Sequence, residues 1–257
     1  MNTKITVATV IWNPGSLLQA TLDSVASQDY ANIEHVIIDG RSTDGTLALL
    51  HKYQEQNSLR AIPREISMRS EPDNGLYDAM NKAINLATGD YILFLNAGDT
   101  FHSTDVLTRI AALATPDTAV IYGNTDIVDS DRRFLHPRHL QPPARLDWRS
   151  FRHGMLVCHQ AFFARTDLAK ANPYNLRYRF SADFDWCIRI MKQAHTHGLR
   201  FTNANLVVAD YLEEGTTTRN HRKSLFERFR IMCRHYGWIS TTCMHLYFVA
   251  RAALRHK

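Results

Sequence analysis

The stretch Tyr91–Thr100, YILFLNAGDT, runs an apolar segment directly into Asn96, Gly98 and Asp99. A short, continuous apolar run bounded by turn residues predicts a strand that is buried on both faces. Such strands are typical of parallel sheets covered by helices, whose ligands bind beyond the carboxyl ends of the strands. The stretch therefore predicts an α/β fold, and it raises the question of what Asp99 does at the mouth of a buried strand.

The segments on the amino-terminal side alternate between strand and helix patterns. The patterns predict strands at 4–12 and 33–40 and helices at 16–28, 42–56 and 75–89. Ser16 is placed to cap the first helix, and Gly89 is expected at the C-terminal cap of the third. This alternation predicts a mostly parallel sheet flanked by helices.

The carboxyl-terminal side is less regular. Residues 104–115 predict a helix stopped by Pro116, and residues 119–137 predict a strand and a hairpin, so an antiparallel element should join the sheet. Beyond the hairpin we expect mainly helices and loops, including a helix in SADFDWCIRIMKQAH, residues 181–195. We expect one α/β domain over residues 1–215 and a basic, amphipathic, helical extension over residues 216–257.

Composition and charge limit the class of protein. The 257 residues are 45% hydrophobic and 21% charged, which excludes disordered and fibrous classes. The net charge of +5 suits an anionic partner such as a nucleotide diphosphate, a phospholipid headgroup or nucleic acid. The four cysteines have no C-x-x-C spacing, which favours a reduced cytosolic setting, and we expect neither a signal peptide nor a spanning helix.

Acidic residues recur where the predicted strands end. Asp39 closes the second strand, Asp73 precedes the third helix and Asp99 follows the apolar run. Each could be no more than a cap or turn residue, but their repeated placement indicates a site at one edge of the sheet. Carboxylate oxygens bind Mg²⁺ or Mn²⁺, which suits Asp99, while Asp39 is placed to accept hydrogen bonds from a base or ribose.

Three blocks of sequence resemble a known family. The sequence resembles family 2 glycosyltransferases with the GT-A fold in residues 6–46, in the segment SEPDNGLYDAMNKAINLATGDYILFLNAGD at 70–99, and in the pair CHQAFF and SADFDW. The likeness is greatest to bacterial exopolysaccharide and colanic-acid-type enzymes. It implies a Rossmann-like nucleotide-diphospho-sugar transferase that uses a divalent metal, Mg²⁺ or Mn²⁺. It also implies inverting transfer from a nucleotide-diphosphate sugar, with UDP expected, to a hydroxyl of a glycan or polyprenyl-linked acceptor in surface polysaccharide assembly.

The resemblance also implies roles for individual donor-binding residues. Thr9 and Asn13 would lie beside the nucleoside base, Asp39 would meet the uracil or ribose, and Asp73 would lie in the segment that closes over the nucleoside. Asp99 takes the last position of the D-x-D-type metal motif. Many relatives carry aspartate at the positions of Asn96 and Gly98, and this sequence has neither acid. Asn96 is still expected at the donor, with His159 or His221 as candidates to complete the metal shell.

The catalytic base is expected at the start of the helix in SADFDW. Asp183 matches the family's base position, where the positive end of the helix dipole favours the ionised form. Asp185 is an alternative base or a substrate contact, and Asp183 could instead only cap the helix. His159 and Gln160 are expected to contact the donor sugar or the acceptor.

The C-terminal segment mixes apolar residues with Arg and Lys, which is typical of helices at an anionic membrane surface. A helical cap over the core is the alternative. We expect a cytoplasmic protein, peripheral on the inner face of the membrane, with no nucleic-acid partner, and we leave the oligomeric state open. Two other functions stay open: a non-catalytic sugar-nucleotide-binding or scaffold protein, and a nucleotidyltransferase, although no Gly-rich phosphate loop follows the first strand.

Overall fold

The structure is a computed structural model that describes residues 3–213 and 221–255. These residues form nine strands in one sheet and eight α-helices. The strands are β1 (Ile5–Ile11), β2 (Ile33–Asp39), β3 (Glu65–Ser70), β4 (Tyr91–Phe94), β5 (Thr100–Phe101), β6 (Thr118–Val128), β7 (Phe134–Pro137), β8 (Phe162–Arg165) and β9 (Arg200–Leu212). The helices are α1 (Leu17–Ala26), α2 (Thr46–Ser58), α3 (Leu76–Leu86), α4 (Val106–Ala111), α5 (Thr166–Ala171), α6 (Ala182–Thr196), α7 (His221–Tyr236) and α8 (Trp238–Arg255), with 3-10 turns at Trp148–His153 and His159–Ala161.

The amino-terminal half of the sheet is parallel and has the order β3-β2-β1-β4. In β1, Ile5 pairs with Ile33 of β2 on one side and with Tyr91 of β4 on the other. Every residue of these three strands is buried, because helices cover both faces of the sheet. The prediction of a parallel α/β sheet with a buried strand at YILF is confirmed.

The carboxyl-terminal half of the sheet is mixed. Strand β8 joins the halves by pairing antiparallel with β4 and β6, and β6 also pairs parallel with β9. The predicted hairpin is confirmed as β6 and β7, and helices and loops do predominate after it, but the strands β8 and β9 were not expected there. Strand β9 was missed because its first half is polar and its pairing with β6 shifts register three times, which obscures any alternation of apolar residues.

Two predicted helix caps differ from the structure. Ser16 stands before α1 but makes no capping hydrogen bond through its side chain. The last helical residue of α3 is Leu86, with Ala87 at the cap, so Gly89 is not the C-cap. A Cβ on Gly89 would lie 2.7 Å from the Thr6 hydroxyl and 2.8 Å from the Lys4 carbonyl, so the glycine permits close approach of β1.

Helix α7 packs against the core beside α6. Its Ile231 and Met232 are buried in the same apolar cluster as Phe184 and Trp186 of α6. This arrangement matches the helical cap expected as one alternative for the tail, while the predicted boundary at 215/216 lies outside the described residues. No helix among residues 3–213 and 221–255 has the length and apolar character needed to cross a membrane.

Candidate active site

A cavity of about 250 Å³ lies beyond the carboxyl end of β4. It collects residues from the β4 turn, the 3-10 turn at His159–Ala161, the start of α6, the end of β9 and α7. Its lining is Leu17, Leu76, Tyr77, Asn96, Ala97, Asp99, His159, Gln160, Phe180, Asp183, Tyr211, Leu212 and Arg228. The sequence-predicted residues Asn96, Asp99, His159, Gln160 and Asp183 are therefore brought together.

The NAGD sequence forms a tight turn at the mouth of β4. The Asp99 amide donates to the Asn96 carbonyl at 3.0 Å, and Gly98 has a φ of 99°, a region that favours glycine. The Thr21 hydroxyl accepts from the Gly98 amide at 3.0 Å and donates to the Asp99 carbonyl at 2.8 Å. A Cβ on Gly98 would lie 3.3 Å from Leu212 of β9, so the glycine serves the turn and this packing.

The Asp99 carboxylate is buried and held by protein donors. Its Oδ2 accepts from Gln160 Nε2 at 2.8 Å, and its Oδ1 accepts from the Leu212 amide at 3.1 Å. Burial raises the pKa of Asp99 to about 6, although both hydrogen bonds favour the ionised form. Asp99 thus joins the β4 turn, the Gln160 turn and β9, and it titrates closer to neutrality than an ordinary aspartate.

A chain of polar contacts leads from the β4 turn to Asp183. Asn96 Nδ2 lies 3.2 Å from His159 Nε2, and His159 Nδ1 lies 3.5 Å from Asp183 Oδ2. If Asn96 donates to Nε2, the His159 proton resides on Nδ1 and is directed at Asp183. The Asn96 Oδ1 atom is buried and has no hydrogen-bond partner among the described residues.

Asp183 lies in the first turn of α6 and faces the cavity. Burial raises its pKa, but the hydrogen bond and positive charge offered by His159, together with the charge of Arg228, outweigh this and lower the pKa. The Tyr77 hydroxyl donates to its Oδ1 at 3.1 Å. Asp183 is therefore ionised at neutral pH, as a general base must be before it accepts a proton.

Arg228 of α7 is a cavity residue that the sequence reasoning missed. It lines the same cavity as Asp183, and its Nε is buried without a hydrogen-bond partner among the described residues. A guanidinium here could bind the oxygens of a phosphate group. The signal that could have found it is the amphipathic pattern of residues 221–236, which turns Arg228 to the same side as the buried Ile231 and Met232.

The remaining acids lie at the ends of β2 and β3. Asp39 is buried and accepts from the Ser70 hydroxyl at 2.6 Å and from the Ser42 amide at 3.1 and 3.2 Å. Asp73 accepts from the Gly75 amide at 2.8 Å, and its Oδ2 would lie 2.5 Å from a Cβ placed on Gly40. Gly40 thus lets the loops of Asp39 and Asp73 meet at one edge of the sheet.

A second cavity of about 710 Å³ adjoins the first and shares Leu76, Tyr77 and Phe180 with it. Trp12 lines this larger cavity and is 71% exposed, which is unusual for tryptophan in a folded protein. Its Cδ1 would lie 3.4 Å from a Cβ on Gly40. The sequence reasoning missed Trp12. It named the neighbouring Asn13, whose Oδ1 accepts from the Thr43 amide at 2.7 Å.

Thr9 and Asp185 line neither of the two cavities. The Thr9 hydroxyl is buried at 3.0 Å from His35 Nε2, so its expected place beside a nucleoside does not fit. Asp185 is 1% exposed, and its oxygens accept from Arg189 Nε and His235 Nε2, each at 2.7 Å. Two residues along a helix turn a side chain by about 200°, which directs Asp185 away from Asp183. The side chain of His221 lies outside the described residues.

The donor set of the cavity fits a weakly held divalent cation. Asn96 Oδ1 is a buried, unpartnered oxygen, and each Asp99 oxygen has a further lone pair, which together supply hard ligands of the kind that Mg²⁺ and Mn²⁺ take. A cluster of three possible metal ligands in the described part of the chain lies outside this cavity. It consists of His102, Asp126 and Asp210, whose ligand atoms lie within 4.8 Å of one another. A cation beside Asp99 would therefore need ligand atoms from the substrate.

Comparisons with known proteins agree with this geometry. The family model for glycosyl transferase family 2 matches residues 6–171. A PGL/p-HBAD biosynthesis glycosyltransferase of Mycobacterium bovis is 35% identical over 206 residues, which cover 79% of this chain and 74% of the relative. The UDP-Glc:alpha-D-GlcNAc-diphosphoundecaprenol beta-1,3-glucosyltransferase WfaP of Escherichia coli is 24% identical over 89% of this chain and 85% of its own.

Solved structures show the same fold. The mannosyltransferase PcManGT from Pyrobaculum calidifontis, in complex with GDP-Man and Mn²⁺, has a TM-score of 0.65 and 17% identity, and the match covers 95% of this chain and 70% of that one. These likenesses give no support to a nucleotidyltransferase or to a non-catalytic scaffold.

Proposed function

The chain belongs to glycosyl transferase family 2 with a GT-A fold, and from this premise we propose that it is an inverting enzyme acting in bacterial surface glycan assembly. The proposed donor is a UDP-sugar, and the proposed acceptor is a hydroxyl of a lipid-linked glycan. The observation that carries the proposal is the ionised Asp183, buried in a cavity beside Asn96, His159 and Arg228. The relative named for UDP-Glc and a diphosphoundecaprenol acceptor supports the choice of both substrates.

Asp183 is the proposed general base. Its carboxylate accepts the proton of the acceptor hydroxyl as that oxygen attacks the anomeric carbon from the side opposite the diphosphate, which inverts the configuration. His159 and Tyr77 hold the carboxylate by hydrogen bonds to its two oxygens. These contacts fix the direction of the base, which matters because proton transfer requires hydrogen-bond reach between acceptor oxygen and carboxylate.

The leaving diphosphate is proposed to lie between Arg228 and the β4 turn. The unpartnered Nε of Arg228 can donate to a phosphate oxygen, and this charge-assisted contact strengthens as negative charge develops on the leaving group. A divalent cation held by Asn96 Oδ1 and Asp99 would supply further charge stabilisation when bound. Because the NAGD turn carries one acid, Asp99, Arg228 is proposed to supply much of the positive charge that the diphosphate needs.

The nucleoside is proposed to lie where the ends of β1, β2 and β3 meet. Asp39 and Asp73 are placed to accept hydrogen bonds from the base and ribose, and the exposed ring of Trp12 offers a stacking surface. Asn13 orders the loop through its contacts with Ser42 and Thr43. His159 and Gln160 line the cavity between the turn and Asp183, where the transferred sugar would sit.

Donor hydrolysis without acceptor tests the proposal. We expect the purified protein to release the sugar from one or a few members of a panel of UDP- and GDP-sugars, with proton NMR showing inverted configuration in the first-formed product. A thermal-shift screen of the same panel, with and without Mn²⁺, identifies the donor independently of turnover. Retained configuration would rule out direct displacement of the diphosphate by a hydroxyl that Asp183 deprotonates. Absence of both shift and hydrolysis across the panel would contradict a sugar-nucleotide enzyme.

A further inference from the structure

A third cavity, of about 280 Å³, lies outside the active site and is lined by three arginines and a tyrosine: Arg177, Tyr178, Arg230 and Arg234. Arg177 and Tyr178 belong to the loop before α6, and the other two arginines lie on α7. Arg230 and Arg234 are four residues apart, so they share one face of the helix. Guanidinium groups stay charged at every physiological pH, and the cavity therefore gathers three positive charges on one concave surface.

No carboxylate among the described residues forms an ion pair with these three arginines. Glu227 lies one turn before Arg230 on α7, but it accepts from the backbone amides of residues 179, 180 and 181 at 2.8, 2.8 and 3.0 Å. The Arg230 guanidinium carbon lies 5.9 Å from the centre of the Phe226 ring, which is within the range of a cation–π contact. Like charges four residues apart on a helix repel, and a bound anion would relieve that repulsion.

The donor set selects the chemistry of the anion. The planar fork of arginine matches phosphate oxygens in bidentate geometry, and several such forks around one cavity suit a group with more than one negative charge. Tyr178 adds a hydroxyl donor at the same cavity. A diphosphate esterified at both ends carries two negative charges and meets these requirements, and the cavity volume accommodates it.

The arginine cavity continues from the active site. Tyr178 also lines the cavity of about 710 Å³, which in turn shares Tyr77 and Phe180 with the cavity of Asp183. The three cavities are therefore neighbours, and they follow one another from the proposed base to the arginines. An acceptor whose hydroxyl lies at Asp183 can extend along these cavities and place a phosphate at its other end.

Exposed apolar side chains flank the arginines in the chain. Leu176, which is 54% exposed, precedes Arg177, and Trp238 and Ile239, at 69% and 83% exposure, follow Arg234 after the turn at Gly237. Tryptophan and aliphatic residues beside arginine are typical of segments at a lipid headgroup boundary. A site for a freely dissolved phosphate has no need of such neighbours, so the surroundings favour a phosphate attached to a lipid.

We propose that Arg177, Arg230 and Arg234 bind the diphosphate group that joins the acceptor sugar to its lipid. This assignment rests on the proposed transfer to a lipid-linked acceptor and names the part of the acceptor that the chain recognises outside the active site. The arginines are binding residues and take no part in the chemical step.

Vesicle binding tests the assignment. Full-length protein is mixed with phosphatidylcholine vesicles that contain a polyprenyl diphosphate, and with vesicles in which phosphatidylglycerol supplies the same charge. The triple variant Arg177→Gln, Arg230→Gln, Arg234→Gln is compared with a control that removes the same charge elsewhere: Arg109→Gln, Arg133→Gln, Arg200→Gln.

We expect wild type and control to bind vesicles that contain the polyprenyl diphosphate more tightly than the phosphatidylglycerol vesicles. The triple variant should bind the polyprenyl diphosphate vesicles at least about tenfold more weakly than wild type, since it loses several charge-assisted contacts. Circular dichroism checks that both variants fold, and the three single variants provide a second series.

Several outcomes would overturn the assignment. They are equal binding of wild type and triple variant, equal binding of wild type to the two kinds of vesicle, and complete displacement by inorganic diphosphate at the concentration of the lipid diphosphate.

Donor hydrolysis without acceptor is measured on every sample and should be unchanged in the triple variant. If the wild type hydrolyses no donor but its vesicle binding depends on the arginines, the proposed transfer is contradicted and the anion site stands. If the wild type hydrolyses donor normally but its vesicle binding does not depend on the arginines, the anion site is contradicted and the proposed transfer stands.

Discussion

Two carboxylates line the same cavity in opposite electrostatic settings. Asp99, at the mouth of β4, accepts hydrogen bonds from two neutral donors, and burial raises its pKa to about 6 although His159 and Arg132 act in the opposite direction. Asp183, at the start of α6, is also buried, but the hydrogen bond from His159 and the charge of Arg228 lower its pKa. The comparison teaches that the role of each acid is set by the groups that contact it more than by its depth. Divergent pKa values in one cavity indicate divergent roles: the low one suits a permanently ionised base, and the high one suits an acid that needs a cation.

The largest effect is expected at Asp183. Asp183→Asn removes the base and keeps the shape, so transfer should fall about a thousandfold while donor affinity stays within about threefold. Steady-state rates and donor titration measure the two quantities.

Asp185→Asn is the matched control on the same helix. Because Asp185 contacts Arg189 and His235 and does not face the cavity, its loss should lower the melting temperature with a much smaller change in rate. Equal rate losses in both variants would break the distinction between the two acids.

The pH dependence of stability should separate Asp99 from Asp183. The pKa of Asp99 is about 6 in the folded protein, against an ordinary value of 3.8, so between these two pH values the folded state holds a proton that the unfolded state has lost. The stability that Asp99 contributes is therefore full below the lower value and lost as pH rises through the upper one. The shift corresponds to about 3 kcal/mol. Asp183 has the opposite sign, and its contribution is lost as pH falls through its lowered pKa. In metal-free protein, urea unfolding of Asp99→Asn should lack the decline that wild type shows between about pH 4 and pH 6. A decline of the same size in the variant would show that another group causes it.

The dependence of donor binding on Mn²⁺ is a further test of the difference between Asp99 and Asp183. Asp99→Asn should weaken Mn²⁺-dependent donor binding by about tenfold or more, because the amide keeps an oxygen but loses the charge that attracts the cation. Binding without metal should change little. Calorimetric titration with donor in the presence of Mn²⁺ or of a chelator measures both values. An undiminished metal effect would remove Asp99 from the proposed cation site.

The smallest effect is expected from the hydroxyl that holds Asp183. Tyr77→Phe deletes one hydrogen bond to the carboxylate, so the rate of transfer should fall about threefold. The acid limb of its pH profile should also move to higher pH, since the ionised form of Asp183 loses a donor. A rate loss without movement of that limb would indicate a packing defect around Tyr77.

Strands β1, β2 and β4 were predictable from the sequence because each is buried along its whole length. Such strands are continuous apolar runs, and glycine or polar turns mark their ends. Strand β3 is partly exposed and was not predicted. In the mixed half, β8 and β9 were not predictable from periodicity, because β8 has only four residues and β9 changes register against β6. The pairing of β9 depends on contacts across the sheet that local sequence does not encode.

The residues of the candidate site also divide into those that the sequence predicted and those that it did not. Asn96, Asp99 and Asp183 follow recognisable strand or helix boundaries, so their positions in the cavity could be predicted. Arg228 and Trp12 could not, because a basic residue on an amphipathic helix and an aromatic residue after a strand are common without function. The inward direction of Arg228 arises from the packing of α7 on α6, and the separation of Asp185 from Asp183 arises from helical geometry.

The contact of Glu227 with the backbone amides of residues 179–181 has a consequence for the order in which activity appears. These amides precede α6, so the loop that positions Asp183 is held by a residue 46 to 48 positions later in the chain. During synthesis the parallel half of the sheet can fold first, and with it the proposed nucleoside-binding edge. Asp183, the proposed base, cannot be ordered in the same way until α7 has left the ribosome and docked. We therefore expect a nascent chain to retain a sugar nucleotide before it can consume one.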